Sequence, residues 1–108
     1  MINYVYFCIM NLVEKNIDTI NALCQKYKVA KLFVFGSILT DRFQNNSDID
    51  FIVDFKALDL YDYADNYFDL KFSLEKLFNR EVDLLEDKAI KNPYLRQSID
   101  TSKQIIYG

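Results

Sequence analysis

The stretch KLFVFGSILTDRFQNNSDIDFIVDF, residues 31–55, decides how the rest of the chain is read. Its first five residues form a short apolar run rich in β-formers and end at Gly36, which predicts a buried strand. Its last eight, DIDFIVDF, read as a second strand, and between the two lies a polar segment with Ser37, Thr40, Asp41, Asn45, Asn46 and Ser47. That segment suits a helix start followed by a turn. Side chains alternate along a strand, so Asp48, Asp50, Ile52 and Asp54 share one face, while Ile49, Phe51, Val53 and Phe55 share the other. Asp48 and Asp50 therefore point the same way, roughly 6–7 Å apart, and repel unless a cation sits between them. An isolated Asp-x-Asp also suits the solvated face of an antiparallel strand. Ile52, however, interrupts the polar face, so only the head of the strand is expected to stay polar.

Outward from this stretch the periodicity changes. Upstream, from Asn11 to about Lys28, Val13, Ile17, Ile20, Cys24 and Tyr27 recur at steps of three and four, an amphipathic helix with Asn11 as candidate N-cap. Downstream, residues 58–78 return to a helical pattern, EVDLL at 81–85 reads as a third strand, Pro93 suits the first turn of a helix carrying Leu95 and Ile99, and IIY at 105–107 predicts a last strand. This order predicts an α+β domain in which a small mixed sheet of three to four strands carries packed helices. Asp83 is an acid inside the apolar third strand. If that strand lies beside the second, Asp83 reaches the head of the sheet; if it lies at an edge, Asp83 simply faces water.

Composition narrows the chemistry. With 108 residues, 51% of them hydrophobic, the chain suits one domain, 1–108. Two glycines and one proline leave no linker or low-complexity tract. The net charge of -3 disfavours a polynucleotide partner, although a single nucleotide is compatible with it. Lys88, Lys91, Arg96 and Lys103 form a local basic exception, suited either to a phosphate or to a solvated helix face. Two cysteines are too few for a disulfide framework and fit a reducing, cytoplasmic setting. The absence of histidine excludes imidazole-based triads and Cys/His metal clusters. A metal would be held by oxygens, which points to magnesium, manganese or calcium. The apolar opening MINYVYFCI has neither the basic lead of a signal peptide nor the length of a membrane span. Because Met10 begins a polar helical segment, residues 1–9 are expected to be an extended or mis-assigned N-terminus.

Gly36-Ser37 leaves the first strand at a probable helix start, where glycine admits a close ligand and free N–H groups favour phosphate; a plain turn is the simpler alternative. Together, G36-S37, ten residues, S47-D48-I49-D50 and then D83 resemble the minimal nucleotidyltransferases of the DNA polymerase beta superfamily over residues 10–108. The resemblance implies a palm-like fold, with Asp48, Asp50 and Asp83 as catalytic, metal-binding carboxylates for two Mg²⁺ or Mn²⁺ ions and ATP as substrate. Gly36, Ser37 and Ser47 would hold the nucleotide. It implies transfer of AMP to a partner protein, a HEPN-type RNase toxin that this chain would neutralise as antitoxin, within a hetero- or homo-oligomer. One departure stands out, because many relatives follow Gly-Ser with arginines where this chain has Ile38, Leu39, Thr40 and Asp41. Arg42 is the nearest replacement, and Arg80 is either a further one or a surface ion-pair partner. An antitoxin acting by binding alone, or an aminoglycoside nucleotidyltransferase, are the alternative readings. Finally, Tyr61, Tyr63, Tyr67, Phe68 and Phe72 spread around the helix at 58–78, either as core or partly as an interface.

Overall fold

The computed structural model describes residues 13–35 and 49–108. Helical residues at 13–15 lead through a turn at Asn16 into helix α1 (Ile17–Lys26). Strands β1 (Val29–Phe35) and β2 (Ile49–Phe55) follow, then helix α2 (Leu60–Phe78), strand β3 (Val82–Glu86), a 3₁₀ turn (Asp87–Ala89), helix α3 (Pro93–Ser102) and strand β4 (Gln104–Tyr107). The expected elements are present, with ends displaced by one or two residues at the strands and at α2. The predicted N-cap Asn11 and the predicted helix start at 37–47 lie outside the described residues.

Local chemistry explains these boundaries. Asp59 caps α2 by accepting from Asp62 N at 2.9 Å, and Asn79 ends the helix in the left-handed region at φ 54°. Asn92 caps α3 twice, accepting from Tyr94 N at 2.9 Å and Leu95 N at 3.1 Å. Pro93 then occupies the first turn, where its missing N–H costs nothing. Lys28, at φ 60°, turns the chain from α1 into β1. Its carbonyl accepts from Lys56 N at 2.9 Å, which ties that corner to the exit of β2.

The sheet is mixed, in the order β3-β2-β1-β4. β1 is antiparallel to both β2 and β4, whereas β2 and β3 run parallel and are joined through α2. Ile49, Phe51, Val53 and Phe55 point to one side and pack with Leu32 and Val34 of β1, Ile20 and Cys24 of α1, and Leu70, Leu74 and Phe78 of α2. The alternation read from the sequence thus sets which face of β2 makes the core. Complete burial of Leu70 and Leu74 stabilises the fold by about 1.5–3 kcal/mol each.

The opposite face carries a second, thinner apolar layer. Leu85, Ile52, Phe33 and Ile105 stand in register across the four strands. Ile52 and Ile99 of α3 are both buried yet separate from the main cluster. Ile52 interrupts the polar face for this reason: the middle of that face is covered.

Candidate functional site

The head of the sheet is defined by three strand ends. Phe35, the last residue of β1, is in register with Asp50, and Asp50 is in register with Asp83. Because β2 and β3 are parallel, both acids occupy the second position of their strands and leave the sheet on the same side, separated by about one strand spacing, ~4.8 Å. Asp50 is half-buried and Asp83 exposed. β3 is also an edge strand, so the two alternatives offered by the sequence both hold: Asp83 faces water at an edge and also adjoins Asp50. Gly36 follows Phe35 directly in the chain. Gly36, Ser37, Arg42, Ser47 and Asp48 themselves lie outside the described residues, between the two strand ends that meet here.

The third acid of that face, Asp54, is four residues further along β2, ~13 Å from Asp50, and pairs with Lys88 Nζ at 3.6 Å. It belongs to another part of the sheet. No group of three acidic, cysteine or histidine side chains comes together among the described residues. Two carboxylates in register form an all-oxygen donor pair, which suits a hard divalent cation and disfavours soft metals.

The strand carrying Asp83 is held from outside by α2, a feature with no periodic signature in the sequence. Ile49 N donates to Glu81 O at 3.2 Å, so the backbone groups of residues 81 and 83 face β2 and those of 82 and 84 face away. One outward N–H and one outward carbonyl flanking Asp83 are occupied: Val82 N donates to Glu75 Oε2 at 3.1 Å, and Tyr67 Oη donates to Leu84 O at 2.5 Å. Burial, with a smaller contribution from the charge of Asp83, pushes the Tyr67 phenol above its ordinary pKa. The hydroxyl therefore remains a donor at neutral pH. Tyr63, stacked on Tyr67, is raised by burial, then by Glu86 and by Tyr67 itself.

The basic C-terminal residues are engaged within the fold rather than presented to a phosphate. Arg96 Nη1 meets Asp87 Oδ1 at 2.8 Å and Asp100 at 3.6 Å, and its Nη2 donates to the Asp87 carbonyl. These partners, led by the Asp87 hydrogen bond, raise the Arg96 guanidinium further. Lys103 meets Asp100 at 3.1 Å and lies 4.5 Å from the centre of the Phe33 ring. This lowers the Asp100 carboxyl, chiefly through the Lys103 hydrogen bond. Lys88, as noted, pairs with Asp54, so three of the four cations fasten the 3₁₀ turn and α3 to one another and to the sheet. Arg80 is half-buried in the turn between α2 and β3, where its N–H donates to Glu75 O at 3.3 Å.

Elsewhere a shallow groove of about 440 Å³ lies between α1 and α2, lined by Thr19, Leu23, Ser73, Lys76 and Leu77. It contains no acid and lies on the helical side of the sheet, away from Asp50. No helix among the described residues is long and apolar enough to cross a membrane.

Comparison with known proteins agrees with this fold. The profile of the nucleotidyltransferase domain family matches residues 17–106. A Methanocaldococcus jannaschii protein named "Putative protein adenylyltransferase MJ0128" is 39% identical over 85 residues, covering 79% of this chain and 82% of the relative. A solved structure described as a "putative minimal nucleotidyltransferase" superposes with a TM-score of 0.65 at 26% identity, covering 84% of this chain and 89% of the other. A complex described as a tri-AMPylated Shewanella oneidensis HEPN toxin with an MNT antitoxin matches with a TM-score of 0.60 at 22% identity, covering 89% and 72% of the two chains. At that identity the likeness is one of fold.

Proposed function

The chain belongs to the nucleotidyltransferase domain family, and from that premise we propose that it transfers AMP from ATP to a hydroxyl of a partner protein. The observation that carries this reading is the registered pair Asp50–Asp83 at the sheet end where β1 delivers the chain into Gly36-Ser37. With Asp48 contributed from the residue before β2, three carboxylates would meet there. They would hold Mg²⁺ or Mn²⁺, and such ions, when bound, supply the positive charge that offsets the triphosphate and the developing charge at the α-phosphorus.

The chain's own residues have the remaining tasks. Gly36 and Ser37 would hold the outgoing phosphates through backbone N–H groups and a hydroxyl, aided by Ser47 and by Arg42 in place of the usual arginines. Asp83, the more exposed carboxylate, would accept the proton of the attacking hydroxyl. The new bond joins that oxygen to the α-phosphorus, the bond to the β-phosphate oxygen breaks in line, and pyrophosphate departs. For the acceptor we favour a tyrosine of a HEPN-type RNase toxin, which this cytoplasmic chain would thereby neutralise. The reading is supported by the AMPylated toxin bound to a protein of this fold and by the relative's name, "Putative protein adenylyltransferase".

One sequence observation favours a second reading. Ile38, Leu39, Thr40 and Asp41 replace the arginines that many relatives carry after Gly-Ser, which would weaken triphosphate binding and leave an antitoxin that acts by contact. The two are separated by incubating the chain with its co-expressed neighbour, ATP and Mg²⁺ and measuring the neighbour's intact mass. A gain of one AMP that is lost in Asp50→Asn and Asp83→Asn supports transfer. Full neutralisation by both variants without any mass gain rejects it.

A further inference from the structure

The aromatic residues of α2 divide into two sets. Tyr63, Tyr67 and Phe78 pack in or against the core, whereas Tyr61, Phe68 and Phe72 are 85%, 51% and 58% exposed. Positions 61, 68 and 72 are related by seven and four residues, so they form one stripe about 16 Å long on the helix surface. Phe68 and Phe72 stack with ring centres 6.2 Å apart, and Phe68 meets Tyr67 edge-on at 5.1 Å, which anchors the stripe in the core. Exposed aromatic rings of this kind are the anchors that protein interfaces use.

One shoulder of the stripe is acidic. Asp62, Asp65 and Asp69 are all exposed and lie together beside it. None of them enters an ion pair found among the described residues. The opposite shoulder carries Ala64, Lys71 and Glu75. We propose that this face of α2 docks an amphipathic helix of a partner protein, whose apolar side covers Tyr61, Phe68 and Phe72 and whose lysines or arginines meet Asp62, Asp65 and Asp69.

Charge selects this occupant. A second copy of the chain brings the same three aspartates, and two α2 helices packed antiparallel about a two-fold axis set one acidic row against the other. Each copy also carries a net charge of -3. A basic helix meets the opposite condition, since its cations gain partners as the rings lose water. The proposal does not depend on the catalytic reading, because the stripe is on the helical side of the sheet and Asp50 and Asp83 are on the other.

The test uses the full chain and two fluorescent 16-residue helical peptides with the same leucine stripe, one flanked by lysines and one by glutamates. Fluorescence anisotropy should show the lysine-flanked peptide binding at least tenfold more tightly. Phe68→Ser should weaken it about tenfold, with unchanged circular dichroism because the ring is exposed. The triple variant D62K/D65K/D69K should reverse the preference between the peptides. Equal affinity for both peptides, or binding indifferent to Phe68→Ser, overturns the proposal. So does a dimer in sedimentation that Phe68→Ser dissociates, since the occupant is then a second copy. Peptide binding that requires deletion of residues 1–12 also overturns it, since the occupant is then the chain's own N-terminal segment.

Discussion

Two carboxylates fixed one strand spacing apart should destabilise the protein without metal and stabilise it with metal, and Asp83→Asn separates the two effects. At ~5 Å two unit charges repel by about 0.8 kcal/mol at the dielectric of water and about 3 kcal/mol at an effective value of 20. Asp83 is exposed and Asp50 half-buried, so the relevant value is near the lower limit, about 1 kcal/mol at low ionic strength. In EDTA and 10 mM salt, Asp83→Asn should therefore be more stable than the wild type by about 1 kcal/mol, a Tm about 4 °C higher. In 1 M NaCl, where the Debye length is about 3 Å, most of that gain should vanish. Mn²⁺ at 100 times its dissociation constant should then stabilise the wild type by about 2.7 kcal/mol and the variant by much less, which inverts their order. Urea unfolding in the three buffers reads all of this. If Asp83→Asn is no more stable in EDTA at low salt, or gains as much from Mn²⁺ as the wild type, the two carboxylates do not act as a metal-binding pair.

Three other outcomes follow from the fold. Tyr67→Phe removes the hydroxyl that donates to Leu84 O and should cost about 1 kcal/mol in urea unfolding; faster hydrogen exchange of β3 amides relative to β1 would localise the loss. Lys28 sits at φ 60°, so Lys28→Gly should stabilise by up to about 1 kcal/mol while Lys28→Val destabilises, as thermal melts of both variants would show. Burial pushes the Cys24 thiol from 9.0 up to about 12. An unfolded chain therefore loses this proton first, and stability should fall as pH rises from about 9 to 12. The fall should be shallower in Cys24→Ala, and in a Cys8→Ser background Cys24 should react with thiol reagents only at the rate of unfolding.

The strands were legible in the sequence because every second residue of β2, Ile49, Phe51, Val53 and Phe55, is apolar, and that spacing fixes the core-facing side whatever the neighbours are. The pairing of β3 with β2 was legible only as a condition. Nothing in EVDLL states which strand it joins, and the register that sets Asp83 beside Asp50 depends on the length and packing of α2. The aromatic residues show the same limit. The rings at 61, 63, 67, 68 and 72 gave an ambiguous pattern, and only the direction in which α2 meets the sheet divides Tyr63 and Tyr67 from Tyr61, Phe68 and Phe72. The cations near the C-terminus read as solvated or phosphate-facing, since the sequence does not reveal that the 3₁₀ turn brings Asp87 to Arg96. Glu75 and Tyr67 carried no signal as strand braces, because which backbone groups of an edge strand face outward is decided by pairing and not by composition.

Those two side chains also govern how copies of the molecule could join. A sheet recruits foreign chain through bare amide and carbonyl groups on its outermost strand, and on the β3 side Glu75 and Tyr67 already fill one of each. Templated growth or seeding of fibrils from this border would first have to break both contacts. Accidental polymerisation from the β3 border is thus disfavoured.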